Sequence, residues 1–571
     1  MVSTVNTKTT QIACLLAGTL LLSPLGCGPD EATPRVQVSL FGWGPTLQGG
    51  EGFVTGMPAY EGAQTVRIKV TQPMDRRVLS QSTFDFAARS ASMPEITYGE
   101  RLRLDVEVFD ASNNLLAAGA TPIFTFQAGS PLRNFRAMVA PVDEASPVGS
   151  LILDSETQQT QFVQSAFDYR GETRDWLGRI GHASATTSDG EVLIVGGGNP
   201  GSFYQPFTTP NLTEVYDDIQ VFSPQTGYFT SLAQDDAAEA VGVLGRDKLA
   251  EPRAFHTVTP LGDKRYLVAG GFTLRDGVVR PVDSLELIDL NEAPGTRVRS
   301  IVDFNGNAIR LATPRAHHTA TRRTSDGAVV IAGGLGRDNA VLNTFEVVNV
   351  QAAQVSSGLQ MTDARVGHTA VLLRDGRTVW LAGGRSASQV LASSEEIVPT
   401  EASSVTTESV LLNMARFGAS ARRISSGGGD LVIVIGGFTG LTDGGTANFE
   451  VGRPQQGQML SESTWRINEA RGAASLVELP QSGDLLIIGG VGPGRQHVNN
   501  AERLTFQGLT AVPPFNVNVL GDLHQERFGF TADVASNGRV LITGGMSRTN
   551  NNVARHDAEY FNAYDPVRPP L

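Results

Sequence analysis

Val329-Val330-Ile331-Ala332-Gly333-Gly334 is an apolar run that ends on a pair of glycines. Alone it reads equally well as a buried strand or a buried helical turn. Recurrence decides the matter. The same pattern stands at Val192–Val195 before Gly196-Gly197, at Tyr266–Ala269 before Gly270-Gly271, and at Val379–Ala382 before Gly383-Gly384. It returns at Val432–Ile435 before Gly436-Gly437, at Leu485–Ile488 before Gly489-Gly490, and at Val540–Thr543 before Gly544-Gly545. The pairs are spaced by 74, 63, 50, 53, 53 and 55 residues. A recurring unit of this length signals repeated supersecondary modules, each unable to bury its faces alone.

Two further elements keep register with the glycines. An arginine precedes each pair by 17 to 20 residues: Arg179, Arg253, Arg315, Arg365, Arg416, Arg471 and Arg527. In the first four copies a histidine follows three places later, as His182, His256, His318 and His368; Ala419, Ala474 and Phe530 replace it in the rest. Downstream of each pair lies a glutamate beside apolar residues: Glu214, Glu286, Glu346, Glu396, Glu450, Glu502 and Glu559. This order of Arg-x-x-His, Gly-Gly and a Glu-bearing strand resembles the kelch repeat of the galactose oxidase and kelch-like superfamily. The resemblance spans residues 150–571 and implies an all-β fold, a seven-bladed β-propeller of four-stranded blades. Arginine, the glycine pair and glutamate are expected to be structural.

If Arg-x-x-His opens strand A, Gly-Gly ends strand B and the glutamate lies on strand C, the last copy has little room for its strand D. Residues 155–177, ending in Asp175-Trp176-Leu177, are expected to supply it from the N-terminal side and close the ring. Closure removes the edges that invite aggregation. The A–B connections are tight (Ser188-Asp189-Gly190, Ser325-Asp326-Gly327, Arg374-Asp375-Gly376, Asn537-Gly538). Insertions fall at about 198–212 in a B–C loop and about 231–252 in a D–A connection. One face is therefore expected to carry long loops and the N-terminal module to sit on the other. Phe203, Tyr204 and Phe207, on the long B–C loop, are the candidate binding residues, with packing of their own loop as the alternative.

Before the repeats, Met1 to Thr10 is polar with Lys8, Ile12 to Leu22 is apolar, and Ser23-Pro24-Leu25-Gly26-Cys27 follows. This order reads as a signal peptide over 1–26. Ending on Gly-Cys, it resembles a lipoprotein signal, which implies lipidation at Cys27 and, with Gly28 next, an outer-membrane address; free secretion is the alternative. Residues 27–33 read as a tether. Residues 34–145 lack the repeat; alternations such as Val66, Ile68, Val70 and Leu102, Leu104, Val106, Val108 give about seven short strands, an expected immunoglobulin-like β-sandwich. Ala140 to Val148 reads as a linker.

The formal charge of −13 and the absence of a basic block exclude nucleic acid as a partner. Both cysteines, Cys14 and Cys27, lie at the N-terminus, so the rest of the chain has no disulfide or thiol chemistry. That also removes the tyrosine–cysteine cross-link of the copper enzymes in the resembled superfamily. No nucleophile-elbow, P-loop or zinc-protease motif occurs. No metal or other cofactor is expected, and no catalytic residue is assigned. Three functions stay open: a protein- or glycan-binding module on a lipid anchor, a carbohydrate-active enzyme of sugar isomerase or mutarotase type using the central funnel, and a structural envelope component. The oligomeric state cannot be read from the chain.

Overall fold

The computed structural model describes residues 13–15, 36–45, 51–55, 60–72, 77–87, 90–92, 101–125, 133–153, 160–164, 178–202, 204–234, 247–399, 404–408, 410–424, 430–441, 445–547, 554–555 and 557–563. The fold is all-β. The only helical elements among these residues are short 3₁₀ turns, and none of their helices is long and apolar enough to cross a membrane. The signal segment around Cys27 and the segment 165–177 lie outside the described residues.

Seven four-stranded antiparallel sheets follow one another along the repeats. Six of them take their strands in chain order, the first two with a separate two-stranded hairpin inserted between the second and third strands. Their first strands are Ala183–Thr186, Thr257–Gly262, Thr319–Arg322, Thr369–Leu372, Ser420–Ile424 and Ser475–Glu478. In the seventh, Thr531–Val534, Val540–Thr543 and Ala558–Phe561 are completed by Ala145–Pro147. First strands of successive sheets touch in order, and Thr531–Val534 touches Ala183–Thr186. The contacts thus run in a closed cycle, a propeller-like arrangement.

The closing strand is not the segment expected. Ala145 pairs with Phe561, Ser146 with Tyr560 and Pro147 with Glu559, so the stretch read as a linker carries the closure. Its proline misled that reading, yet an edge strand tolerates a residue without an N–H. Gly149–Leu153 instead forms a separate hairpin with Thr160–Gln164.

The four residues before every glycine pair are buried, as fits strands covered on both faces by neighbouring sheets. The glycines explain how such a strand ends. Gly333 has φ +60, and a Cβ there would lie 2.4 Å from the Arg365 carbonyl oxygen of the next repeat. Gly334, at φ +96, instead sends its N–H to that same carbonyl at 3.0 Å. Only glycine permits both the left-handed backbone and this approach.

The N-terminal strands follow one hydrogen-bonded path: Glu51–Thr55, Val36–Pro45, Arg133–Pro141, Leu115–Ala120, Arg101–Asp110, Ala63–Gln72 and Arg77–Asp85. Pairing does not divide them into two sheets. Val66, Ile68, Val70, Leu102, Leu104, Val106 and Val108 form their core. The alternation in 101–110 predicts one wet face, but Arg103 and Glu107 are buried too. Arg103 lies against Gly538, in a tight A–B turn of the seventh sheet. Arg101 donates to the Ser188 carbonyl at 2.6 Å, Arg539 donates to that of Met138, and Asn562 donates to those of Ala140 and Pro141 at 2.8 Å each. The N-terminal module therefore packs on the tight-turn face, with the long B–C loop of the first sheet opposite; residues 235–246, most of the expected D–A insertion, lie outside the described residues.

Candidate functional site

The repeated charged residues build the frame. All seven motif arginines are buried. Each donates through Nη1 to the carbonyl of the first glycine of its own repeat, at 2.8 to 3.1 Å. Nη2 then meets an acid on the same sheet: Glu346 at 2.8 Å from Arg315, Glu450 at 2.7 Å from Arg416, Glu502 at 2.7 Å from Arg471, and Glu559 at 2.8 Å from Arg527. Arg253 pairs with Glu286. Two assignments differ from the sequence reading. Arg365 pairs with Glu395, at 2.5 Å, not Glu396, and Arg179 pairs with Asp218, at 2.9 Å, not Glu214. Strand alternation explains the first, since a shift of one residue changes the face. In the second case, in the first repeat, Asp218 lies beyond a long insertion, where spacing no longer locates the acid.

The acids do a second task. Glu346 also accepts the amides of Ala312 and Thr313, at 2.7 and 3.1 Å, and Glu450 those of Asn413 and Met414, again at 2.7 and 3.1 Å. These amides belong to the connections that enter each sheet. One arginine–glutamate pair thus fastens strand A, the B-strand exit and the incoming chain. Burial lowers the pKa of Arg315 and Arg416, while the paired glutamate opposes the shift.

The motif histidines are packing groups. The imidazoles of His182, His256, His318 and His368 lie over the first glycine of the preceding sheet, and Phe530 does the same over Gly489. Burial, reinforced by the adjacent arginine, holds His182 and His368 neutral, with pKa pushed down to about 3. Among the described residues no group of three or more His, Cys, Asp or Glu is placed to hold a metal.

Two residues after each motif arginine the backbone turns left-handed, at Gly181, Phe255, His317, Gly367, Gly418, Ala473 and Gly529. Amides in this ring donate to the preceding member: Phe255 to Gly181 at 2.5 Å, His317 to Phe255 at 3.1 Å, Gly418 to Gly367 at 2.6 Å, and Ala473 to Gly418 at 2.8 Å. The ring marks the axial mouth on the long-loop face.

The long B–C loop of the first sheet crosses that mouth. Tyr204 is 5% exposed, and its ring packs on Phe255 at 4.8 Å, His317 at 6.0 Å and Phe528 at 6.3 Å. Its hydroxyl accepts the Phe207 amide at 2.8 Å and lies 3.0 Å from His317 Nε2. Phe207, itself left-handed at φ +60, lies against Gly367, Gly418 and Phe417. Arg385 donates to its carbonyl at 2.8 Å. Burial pushes the His317 pKa down to about 3 and the Tyr204 hydroxyl up. The loop thus touches sheets on every side of the axis. Tyr204 and Phe207 face inward as a plug, and Phe203 lies outside the described residues.

Beside the plug, the same face opens a cleft of about 530 Å³. Its walls are a hairpin, Phe272–Arg275 with Val278–Pro281, and the turn Gly336–Asn339 on the third sheet; Thr209, from the plug loop, closes one end. The sequence carried one sign of this hairpin, Asp276-Gly277, whose φ values of +52 and +73 suit a two-residue turn. The cleft's arginines could not be assigned from the chain, because surface arginines carry no periodic signal.

No family model matches the chain, and no curated protein matches it. Among solved structures, that of YjhT is 13% identical, with a TM-score of 0.40, covering 60% of this chain and 98% of its own. A fungal alcohol oxidase of the AA5 family, in complex with copper, is also 13% identical, with a TM-score of 0.48, covering 68% of this chain and 75% of its own.

Proposed function

We propose that the chain is a lipid-anchored, exported binding protein: a seven-bladed kelch-type propeller that engages a protein or glycan through its long B–C and D–A loops. The N-terminal β module joins it to Cys27, and the anchor places it on the outer membrane. The observation that carries this reading is the polarity of the two faces. The N-terminal module occupies the tight-turn side, through Arg101, Arg103 and Arg539. The cleft and the long B–C loop stand opposite, where an anchored molecule presents them away from its tether. The plug weighs against the funnel enzyme: Tyr204 and Phe207 fill the long-loop mouth through which a sugar would enter on that side. A purely structural envelope role leaves the cleft without a purpose.

The test is a binding screen of the purified chain against glycans and envelope extracts, with palmitate labelling of Cys27→Ser beside the unsubstituted chain. Ligand protection on the long-loop face, and label lost with Cys27, are the expected results. Protection mapped to the tight-turn face, or sugar turnover proportional to enzyme concentration, would overturn the binding reading. Label retained in Cys27→Ser would overturn the anchor.

A further inference from the structure

We infer that the cleft between the Phe272–Pro281 hairpin and the Gly336–Asn339 turn binds an acidic oligosaccharide, with Arg280 and Arg337 receiving its carboxylates. The inference rests on the binding reading above and names its ligand class. Three observations lead there.

The first is charge. Arg275, Arg280 and Arg337 line the cleft against one acid, Asp338. Arg275 is already paired with Glu251. Arg280 and Arg337 are exposed and have no ion-pair partner among the described residues. In a chain of formal charge −13 an arginine meets an acid easily; two in one cleft without one leave a local positive field. Arginine's planar fork matches a carboxylate bidentately, which a point charge does not.

The second is size and lining. A space of about 530 Å³ is that of a small-ligand site and too narrow for a protein interface. Half-buried Val279 and Pro281 offer a short apolar strip, and at the rim the Thr209 hydroxyl donates to the Asn339 side-chain oxygen, which leaves the Asn339 amide nitrogen as the free donor of that pair. A sugar ring has this duality, with C–H faces between hydroxyls.

The third disfavours the nearest rival, an acidic peptide added as a strand to the hairpin. Among the described residues the second strand, Val278–Pro281, pairs only with Phe272–Arg275. Pro281 lacks the N–H that such a peptide would use, and the strand ends there.

Calorimetry of the full chain tests this with trigalacturonate, a hyaluronan tetrasaccharide and a sulfated heparin disaccharide, against neutral galactotriose and poly-glutamate. Expected are binding by at least one uronate oligomer, weakening with salt, and no binding by galactotriose. Arg280→Ala and Arg337→Ala are each expected to lower affinity about tenfold, with Arg280→Lys recovering part and Arg275→Ala having less effect. Both positions are exposed, so the variants keep the fold. Equal binding of acidic and neutral sugars, preference for poly-glutamate or for the sulfated sugar alone, or indifference to both substitutions overturns the inference. If a glycan from the wider screen still protects the long-loop face, the binding reading survives that outcome. If nothing protects that face, both fall.

Discussion

The Gly545 amide donates to the Arg179 carbonyl at 2.9 Å. The same bond joins Gly197 to Arg253 and Gly271 to Arg315, at 2.9 and 2.8 Å. The last repeat therefore holds the first by the contact that also joins Gly334 to Arg365, Gly384 to Arg416 and Gly437 to Arg471. What distinguishes the junction is its fourth strand, Ala145–Pro147, from before the repeats. Ala145 is buried with Val477, Leu479 and Phe561. Ala145→Asp forces an unpaired carboxylate among them and is expected to destabilise by about 3 kcal/mol or more. It also frees the edge of Ala558–Phe561, so self-association should rise. Thermal unfolding and light scattering check both effects, with the exposed Ala87→Asp as control. An unshifted transition in a chain that scatters no more than the control would show that Ala145–Pro147 does not close the ring.

The glycine pairs separate two penalties. Gly277, at φ +73, has nothing within 4 Å of where a Cβ would stand, whereas Gly333, at φ +60, faces the Arg365 carbonyl oxygen at 2.4 Å. Gly277→Ala should cost about 1–2 kcal/mol, the left-handed penalty alone. Gly333→Ala adds a backbone clash and the displacement of a bond between sheets, so its loss should be several-fold larger in urea unfolding. Equal losses would mean that the pair serves backbone conformation only.

The periodic part of this molecule was legible because a repeat multiplies a weak signal. A single Gly-Gly carries little, but its chemistry is forced wherever it recurs, since the next arginine's carbonyl stands against it. The acid was legible where the B–C loop is short, as for Glu346, and lost where the insertion before Asp218 breaks the spacing. The closing strand was missed because three residues ending in proline resemble a linker; only their partner, Ala558–Phe561, makes them a strand. The aromatic loop illustrates the limit for sites. Tyr204 and Phe207 stand out in sequence, but whether such rings face solvent depends on Phe255, His317 and Phe417, which the topology brings to the axis from other repeats. Arg280 and Arg337 stand out nowhere in the chain and acquire meaning only as two walls of one cleft.

Arg416 and Glu450 are both buried, 2.7 Å apart. Arg416→Met strands the carboxylate and should destabilise by about 3–5 kcal/mol. Adding Glu450→Gln removes the stranded charge, keeps an acceptor for the Asn413 and Met414 amides, and should recover part of that loss. The exposed pair Arg310–Asp283, 2.9 Å apart, should contribute under about 1 kcal/mol by the same double-mutant cycle. A double variant no more stable than Arg416→Met alone would place the loss in missing packing, not in charge.

Acid should loosen the ring through its histidines. His182, His317 and His368 are held neutral with pKa about 3, and His256 and His318 well below their ordinary value, burial being the first cause in each. An unfolded chain takes up these protons near pH ~6.5 and the folded one does not, so stability falls as pH drops from there towards 3. Asp533 runs the other way. Burial pushes its pKa up to about 6 against a hydrogen bond from Ser184, so it subtracts stability as pH rises from about 4 to 6. His318→Ala, the residue type found at this place in Ala419 and Ala474, should flatten the acid side of the Tm–pH curve. Asp533→Asn should raise Tm at pH 7.5 and change little at pH 4. An unaltered slope between pH 4 and 6.5 in His318→Ala would remove that histidine from the acid response.

The plug should come loose without opening the ring. Tyr204 is held by three rings and by the Phe207 amide, all at the axial mouth, while closure depends on contacts between neighbouring sheets. Tyr204→Ala deletes the centre of that cluster and should lower the local stability of the loop by about 3 kcal/mol, which in hydrogen exchange is on the order of a hundredfold loss of protection at the Phe207 amide. The Gly545 amide, on the ring junction, should keep its protection, because repeats stabilise one another through nearest-neighbour contacts. Tyr204→Phe retains the ring and loses only the hydroxyl's bonds to Phe207 and His317, so its effect should be smaller. If Gly545 and Phe207 lose protection together in Tyr204→Ala, the loop is part of what closes the ring, and the mouth cannot open while the ring stays folded.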